Sequence, residues 1–246
     1  MQLPAGFQEQ KKPQLFENLS EESLQTLLQH SVMQDFETGR LLVQQGDKPE
    51  YIYLIIEGSL KTTRIGEEGE EATIRLLEAG DTCMEAVMFM GGPSPINVQA
   101  MSDVRLLMIP EKIIKTHILE DNQFSINLLC IVTRHYKNAM HQIDAMNIKS
   151  PLQRVGYYFL LKHLDQGHDK LDFKLPFKKQ VVANYLGMTP ETFSRTLKQM
   201  KEMGISVEDD TIKMQDAYCL CHFCDSDTAA LCPTHDKQDC KECPLH

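Results

Sequence analysis

Glycines at short intervals divide the first half of the chain into brief apolar runs, and this spacing constrains the possible fold more than any other feature. The runs lie between residues 33 and 109, and they are separated by Gly39, Gly46, Gly58, Gly66, Gly69, Gly80, Gly91 and Gly92. Short strands separated by turns at such intervals are typical of an all-β barrel or jelly roll. We therefore expect a closed β structure here, preceded by a helix over 15–28 with Ser20 as a plausible N-cap.

After Pro110 the apolar spacing becomes helical. Apolar side chains recur every three or four residues at Leu129, Val132, Tyr136, Ala139, Ile143 and Met146. This spacing is that of a coiled-coil seam, in which two helices pack against each other. A helix packed only on its own domain is the alternative. The sustained repeat favours a dimerisation helix.

The next segment has the signals of a helix-turn-helix. One helix begins at Ser150 and Pro151, a short one covers 178–186, and Gly187 forms a turn. Thr189 as N-cap with Pro190 in the first turn then predicts the start of another helix. Two short helices joined by a glycine turn make a helix-turn-helix, and the residues after Gly204 predict a small hairpin, the wing.

Charge is unevenly distributed along the chain. The net charge is −10, yet residues 174–201 carry six lysines and arginines against one acid, whereas residues 208–246 carry nine acids and three bases. A polyanion responds to local charge rather than to the total. The basic segment coincides with the predicted helix-turn-helix and indicates double-stranded DNA as a partner.

The helix after Thr189 has a polar face suited to reading DNA bases. At 100° per residue, Glu191, Ser194, Arg195 and Lys198 share one face, opposite Phe193, Leu197 and Met200. Arginine pairs with guanine, a carboxylate accepts from cytosine, and serine tolerates several bases. A solvated amphipathic helix is the alternative. The predicted contact set also includes Thr189 and Thr192, together with Lys178, Lys179 and Lys201 as phosphate contacts.

These features together resemble the CRP/FNR family of bacterial transcription regulators over about residues 15–213. The carrying segment is NYLGMTPETFSRTLKQMKEMGI, together with the glycine-punctuated β region and the long helix. The resemblance implies a homodimer that contacts DNA and RNA polymerase. The ETFSR stretch is similar to the FNR branch, whose Glu-x-x-Ser-Arg reads a TTGAT-type half-site. The resemblance implies the same base-reading role for Glu191, Ser194 and Arg195 of this chain.

We expect an α+β fold in four segments, the first three as the resemblance implies and the fourth because of its cysteine content. A cyclic-nucleotide-binding-type β-roll covers 1–120, a dimerisation helix 121–148, a winged helix-turn-helix 149–214, and a cysteine-rich tail 215–246. We expect the protein to be cytoplasmic, with no membrane partner, because no apolar run is long enough to span a bilayer. The sequence contains no P-loop, Gly-x-Ser-x-Gly or His-Glu-x-x-His motif, so we do not expect an enzyme.

The sensor region departs from the cyclic-AMP branch of that family. Where that branch has an Arg-Ser pair for the phosphate, this chain has Ser94 and Pro95, which argues against cyclic AMP. Glu85 lies near the expected glutamate and is interpreted as a turn acid. The FNR branch carries N-terminal cluster cysteines, but here the first cysteine is Cys83, interpreted like Cys130 as an apolar filler. His135 and the other isolated histidines are interpreted as ordinary residues rather than haem ligands.

The tail holds six of the eight cysteines: Cys219, Cys221, Cys224, Cys232, Cys240 and Cys243. Two C-x2-C pairs separated by fifteen residues suit a zinc knuckle, whereas the sensing role of the family suits an iron–sulfur cluster. A metal-free thiol switch and an unstructured acidic tail are further alternatives. Zinc and iron–sulfur remain undecided from the sequence.

The leading functional hypothesis is a regulator of an FNR-like TTGAT inverted repeat that responds to oxygen or redox state through these cysteines. One alternative is a regulator that senses a small ligand or haem in the β-roll and has a structural zinc tail. A different class is a cyclic-nucleotide-binding-type regulatory scaffold, which would need the missing phosphate arginine and would not need Glu191, Ser194 and Arg195.

Overall fold

The computed structural model describes residues 13–166, 170–216 and 218–229. The chain forms two compact units, and the boundary between them falls after Ala139. None of the helices in the described part of the chain is long and apolar enough to cross a membrane.

The first unit is built mainly from short strands. Its elements are a 3-10 turn (Gln14–Phe16), α1 (Glu21–Gln29), β1 (Val32–Phe36), β2 (Leu41–Val43), β3 (Tyr51–Glu57), β4 (Ser59–Ile65), β5 (Glu71–Glu78), β6 (Thr82–Cys83), α2 (Glu85–Met90), β7 (Asn97–Ala100), β8 (Val104–Pro110), α3 (Glu111–Glu120) and α4 (Asn122–Ile148), which continues into the second unit.

Two antiparallel sheets form the β-roll that the glycine spacing predicts. Their strand orders are β1-β8-β3-β6 and β2-β7-β4-β5. Ile55, Leu60 and Leu106 are fully buried in one core cluster of the roll. The expected helix over 15–28 is divided in two, because Asn18 adopts a left-handed conformation (φ 57°) ahead of α1. Ser20 is its N-cap as predicted, accepting from the backbone N–H of Ser23 at 3.1 Å.

The first half of α4 packs on the roll through one face. Phe124, Leu128 and Ile131 are buried in a second core cluster with Phe16 and Leu27. Leu128 and Ile131 stand one residue before Leu129 and Val132, about 100° around the helix, so they belong to a stripe distinct from the predicted seam. The helix therefore has an apolar stripe committed to its own unit and a separate apolar seam.

The second unit contains the winged helix-turn-helix. It consists of the end of α4, then α5 (Pro151–Gln166), β9 (Asp172–Lys174), α6 (Lys179–Tyr185), α7 (Pro190–Glu202), β10 (Ile205–Glu208), β11 (Thr211–Met214), a 3-10 turn (Cys221–Phe223) and α8 (Ser226–Ala229). The predicted wing is confirmed as β10 and β11, and β9 adds a third strand in the order β10-β11-β9. Phe159, Phe193 and Ile212 are buried in this unit.

Gly58 provides a test of the β-roll packing. It has φ +86°, and a Cβ there would lie 2.3 Å from the carbonyl oxygen of Asp103. Gly39 has nearly the same φ, +87°, with open space around it. We expect Gly39→Ala to cost about 1 kcal/mol of unfolding free energy through backbone strain, and Gly58→Ala about 3 kcal/mol or more because backbone must also move.

Urea unfolding followed by far-ultraviolet circular dichroism suits this comparison, since the chain has no tryptophan. Equal losses in the two variants would show that backbone strain, rather than the close approach of the Asp103 segment, requires glycine at position 58.

Candidate functional site

Helix α7 begins as the sequence predicts. The Thr189 side chain accepts from the backbone N–H of Thr192 at 3.3 Å, and Pro190 occupies the first turn. Phe193 and Met200 are buried beneath the helix. Leu197, expected with them, is half-buried. This packing directs the opposite face of α7 toward solvent.

The solvent-facing side of α7 brings the predicted base-reading residues together. Glu191, Ser194, Arg195 and Lys198 line a shallow groove of about 490 Å³ with Pro190, and all four are exposed. Hydrogen bonds from its own backbone N–H and from the Thr189 side chain hold the pKa of Glu191 below its usual range. The groove therefore presents an ionised acceptor, a hydroxyl and two cations on one helical face.

The predicted phosphate-binding lysines lie at the ends of the two helices. Lys178 is the exposed N-cap of α6, and Lys179 is the half-buried first residue of that helix. Lys201, in the last turn of α7, is exposed. Thr192, half-buried, caps the first turn of α7 with Thr189. The lysines lie outside the groove-lining stretch 190–198 in the sequence, whereas Thr192 lies within it.

The turn between α6 and α7 is held by residues that sequence reasoning missed. The Arg154 guanidinium donates to the carbonyl of Leu186 at 2.8 Å and to that of Gly187 at 3.3 Å. The side-chain amide of Gln142 donates to the carbonyl of Tyr185 at 3.0 Å. Carbonyls at the end of a helix lack intrahelical partners, so these donors satisfy them. They also fix where α7 begins.

The predicted dimer seam is largely exposed along α4. Leu129 and Tyr136 expose 66% and 67% of their surface, and Ile143 and Met146 expose 51% and 44%. Ala139 is exposed and Val132 half-buried. Such a row of large apolar side chains exposed to water is typical of a surface that binds another protein.

Glu85 is not the turn acid that the sequence suggested. It begins α2, is 1% exposed, and has an oxygen 2.6 Å from Nδ1 of His135 and 3.4 Å from the guanidinium of Arg75. Burial raises the pKa of Glu85, but the contacts with His135 and Arg75 outweigh it, so the pKa lies below its usual range. The carboxylate is thus neutralised from within the chain.

Arg75 ties the same cluster to the sheet. It donates to the carbonyl of Thr82 at 3.2 Å and lies 2.7 Å from Nε2 of His135. Because a guanidinium can only donate, Nε2 accepts, which places the ring proton on Nδ1, the nitrogen 2.6 Å from Glu85. The cluster joins β5, α2 and α4. His135, interpreted as an ordinary residue, is therefore a central contact between α4 and the roll.

Ser94 stands where the cyclic-AMP branch has its phosphate arginine, and its side chain is also hydrogen-bonded within the chain. Ser94 is 2% exposed, and its hydroxyl donates to the carbonyl of Ile96 at 2.7 Å. With Glu85 ionised nearby in the chain and the Arg75 cation already paired with it, this arrangement does not favour an anionic ligand. The interpretation of Cys83 as a buried filler is confirmed, and burial raises the pKa of its thiol to about 12. Cys130, by contrast, is exposed.

The described part of the tail contains Cys219, Cys221 and Cys224. Cys219 is buried beside Gly204, with Sγ 4.0 Å from its carbonyl oxygen, and the other two are partly exposed. Within residues 13–166, 170–216 and 218–229, no group of three or more His, Cys, Asp or Glu side chains is placed to hold a metal ion. Cys232, Cys240 and Cys243 lie outside the described residues, so a metal in the tail stays a prediction.

Comparisons with known proteins agree with this architecture. The cyclic nucleotide-binding domain family matches residues 33–121, and the Crp-like helix-turn-helix domain family matches residues 153–223. The anaerobic regulatory protein of Pasteurella multocida is 28% identical over 186 residues, which cover 74% of this chain and 67% of that protein. The cyclic AMP receptor protein of Thermus thermophilus is 26% identical over 191 residues, covering 78% and 87%.

The chain belongs to the CRP/FNR family. Among solved structures, FixK2 from Bradyrhizobium japonicum matches with a TM-score of 0.70 at 18% identity, covering 80% of this chain and 98% of that one. A CooA variant from Carboxydothermus hydrogenoformans matches with 0.67 at 21% identity, covering 84% and 91%. These two likenesses concern the fold.

This CRP/FNR protein is a transcription regulator with a helix-turn-helix, in a family of DNA-binding dimers rather than enzymes. The family assignment does not account for the cluster around Glu85 or the donors at the turn. No local sequence pattern marks His135, because it meets Glu85 and Arg75 only through tertiary packing.

Glu85→Gln tests the buried cluster. Removing the charge leaves Arg75 and His135 without their carboxylate, so we expect a loss of about 3 kcal/mol in unfolding free energy at pH 7. A carboxylate whose pKa is lower in the folded than in the unfolded protein stabilises the fold at pH values above its unfolded pKa, near 4.5. This contribution disappears as the pH falls through the folded pKa. The difference between wild type and Glu85→Gln should therefore shrink below about pH 4.5.

Urea unfolding across this pH range measures the effect. Glu57→Gln is the matched control, because Glu57 pairs with Arg105 at 3.7 Å on the surface with a side chain 55% exposed. If Glu85→Gln were no more destabilising than this control at neutral pH, the buried cluster would not stabilise the roll.

Proposed function

We propose that this CRP/FNR regulator binds, as a homodimer, an inverted repeat of FNR-like TTGAT half-sites and responds to oxygen or redox state through its C-terminal cysteines. The observation that carries the DNA-binding part is the exposed face of α7. There Glu191, Ser194 and Arg195 share one groove, held at the first two turns of a capped helix. A recognition helix contacts base edges with these turns.

The chemistry of the groove supports a mixed base sequence. The Arg195 guanidinium matches the two acceptors of a guanine, and the ionised Glu191 accepts from the amino group of a cytosine. A TTGAT half-site and its complement offer both bases. Ser194 adds a contact tolerant of several bases, while Lys178, Lys179 and Lys201 supply cations for the phosphates.

The exposed seam of α4 supports the dimer. A parallel pair of such helices would bury Leu129, Tyr136 and Ile143 against the second copy. Two-fold symmetry then requires half-sites in inverted orientation, about one helical turn of DNA apart. RNA polymerase is the expected downstream partner, in keeping with the family. The acidic remainder of the chain lies outside the DNA-facing residues and does not attract nucleic acid.

The sensing part of the proposal rests on the chemistry of the tail. Six thiols in so short a segment exceed what packing needs, and thiolates are ligands for zinc and for iron–sulfur clusters. Cys221 and Cys224 are partly exposed and so accessible to a ligand, whereas Cys219 is buried and less so. An iron–sulfur cluster would supply oxygen sensitivity, and zinc would supply stability. The choice between them is open.

The alternative sensor is a ligand in the β-roll. The internal neutralisation of Glu85 by Arg75 and His135 disfavours a cyclic nucleotide or another anion there. A regulatory scaffold that does not bind DNA would not need Glu191, Ser194 and Arg195 together on the exposed face of α7. The DNA-binding regulator therefore remains the function that the arrangement supports best.

Arg195→Ala tests the base-reading role. We expect a loss of about 1–3 kcal/mol in binding to a TTGAT–ATCAA duplex, together with relaxed specificity at the guanine that Arg195 contacts. Lys178→Ala should weaken binding to all duplexes alike. It should also reduce the slope of log affinity against log salt concentration by about one. Fluorescence anisotropy at several salt concentrations, with matched and substituted duplexes, measures both.

Arg40→Ala is the control for loss of an exposed arginine far from α7 in the sequence. It should leave the affinity unchanged. If Arg195→Ala weakened binding to every sequence equally, Arg195 would be a phosphate contact and the proposed half-site would be wrong.

Cys240→Ser combined with Cys243→Ser tests the sensing role. We expect anaerobically purified wild type to contain iron or zinc and the double variant to contain less, since two thiolate ligands are removed. We also expect the difference in DNA affinity between aerobic and anaerobic wild type to disappear in the variant. Metal analysis, visible absorption and anisotropy give the readouts. Equal affinities of wild type under both atmospheres would contradict oxygen sensing.

A further inference from the structure

The first part of the cysteine tail is docked on helix α5. We call residues 218–229 the docked segment; Leu220 is fully buried in it, and Phe223 is 8% exposed. The Phe223 ring lies so close to Gly156 that a Cβ on this residue would be 2.3–2.4 Å from three ring carbons. Such contact requires glycine in the middle of α5, where glycine otherwise weakens a helix.

Polar contacts fasten the same segment to the junction of α4 and α5. The ammonium of Lys149 lies 3.0 Å from the carboxylate of Asp225 and 3.7 Å from the centre of the Tyr157 ring. The hydroxyls of Tyr157 and Thr228 are 3.2 Å apart, with Thr228 1% exposed. Asp225 also accepts from the backbone N–H and hydroxyl of Thr228, at 3.0 and 2.6 Å. The segment is thus held by an ion pair, a cation–π contact and buried hydroxyls.

The opposite side of α5 holds the helix-turn-helix. Arg154, which binds the carbonyls of Leu186 and Gly187, is two residues before Gly156. At 100° per residue these positions are about 200° apart around the helix. Met146 reinforces the turn, with its methyl carbon 3.3 Å from where a Cβ of Gly187 would lie. Helix α5 is therefore placed between the docked segment and the turn that starts α7.

We propose that the docked segment is a positioning element for DNA binding, with Phe223 and Asp225 as positioning residues that act on the recognition helix through α5. Phe223 sets the position of α5 at Gly156, and Asp225 sets the junction at Lys149. Arg154 conveys that position to the turn before α7. The role in DNA affinity rests on the proposed function, whereas the mechanical link to the turn does not.

The position of the thiols gives this element its regulation. Cys221 and Cys224 flank Phe223 on either side, and both are partly exposed. A ligand bridging these two thiols would act on the backbone that carries the ring, because only His222 and Phe223 lie between them. Occupation of the thiols would then change how the Phe223 ring packs on Gly156, and with it the placement of α7.

The test uses the full chain with three variants and a control. Gly156→Ala inserts a methyl group where the Phe223 ring lies, and Phe223→Ala removes the ring. The third variant combines both changes. Tyr218→Ala is the control, since Tyr218 is an aromatic residue of the same segment but is 39% exposed. Circular dichroism checks that each variant folds.

The first readout is hydrogen exchange, by mass spectrometry, of the peptide covering 185–192. We expect faster exchange in Gly156→Ala and in Phe223→Ala, and no change in Tyr218→Ala. The second readout is affinity for the TTGAT–ATCAA duplex, expected to fall about tenfold in each single variant. The combined variant should be no worse than Phe223→Ala alone, because the methyl group then meets no ring.

Two outcomes overturn the inference. One is unchanged exchange of the 185–192 peptide in both single variants. The other is additive loss in the combined variant, which would mean that Gly156→Ala disturbs α5 independently of Phe223. If wild type failed to prefer the TTGAT duplex over a scrambled one, the proposed operator would be wrong, but the exchange readout would still decide the positioning role.

Discussion

The structure depends on helix α4 having two separate apolar stripes. Phe124, Leu128 and Ile131 bury one stripe in the core of the first unit, which leaves the seam of Leu129, Tyr136 and Ile143 in water. A single helix cannot hide both within one small unit, so the second stripe needs a partner outside it. The end of the same helix, through Gln142, holds the helix-turn-helix. The packing of the first unit, the exposed seam and the support of the helix-turn-helix therefore share one element.

In the first unit, the buried carboxylate of Glu85 is balanced by other side chains of the same chain. A buried carboxylate needs a cation or donors, and a ligand can supply part of that need. Here Arg75 and His135 supply it from within the chain, and His135 stands on α4. This internal pairing disfavours an anionic ligand at Glu85 and supports the cysteine-rich tail as the proposed sensor.

The tail combines features that neither the fold nor the thiols explain alone. Its cysteines suit a metal or a redox reaction, while Phe223, Asp225 and Thr228 bind it to α5. A purely structural staple would not need partly exposed thiols on both sides of its anchoring ring. A freely extended sensor would not bury Leu220 and Phe223. Docking residues and thiols alternate within one short segment, which supports the regulatory role proposed for it.

Periodicity, glycine turns and helix caps were sufficient for the sequence to determine the β-roll, the long helix, the start of α7 at Thr189 and the wing, because each is a local signal. The polar face of α7 followed from the same 100° rule. Only the tertiary structure decided that Glu85 pairs with His135, fifty residues later in the chain, and that the Phe223 ring packs against Gly156. These contacts join residues distant in sequence, and no local pattern encodes which buried charge or which ring will meet.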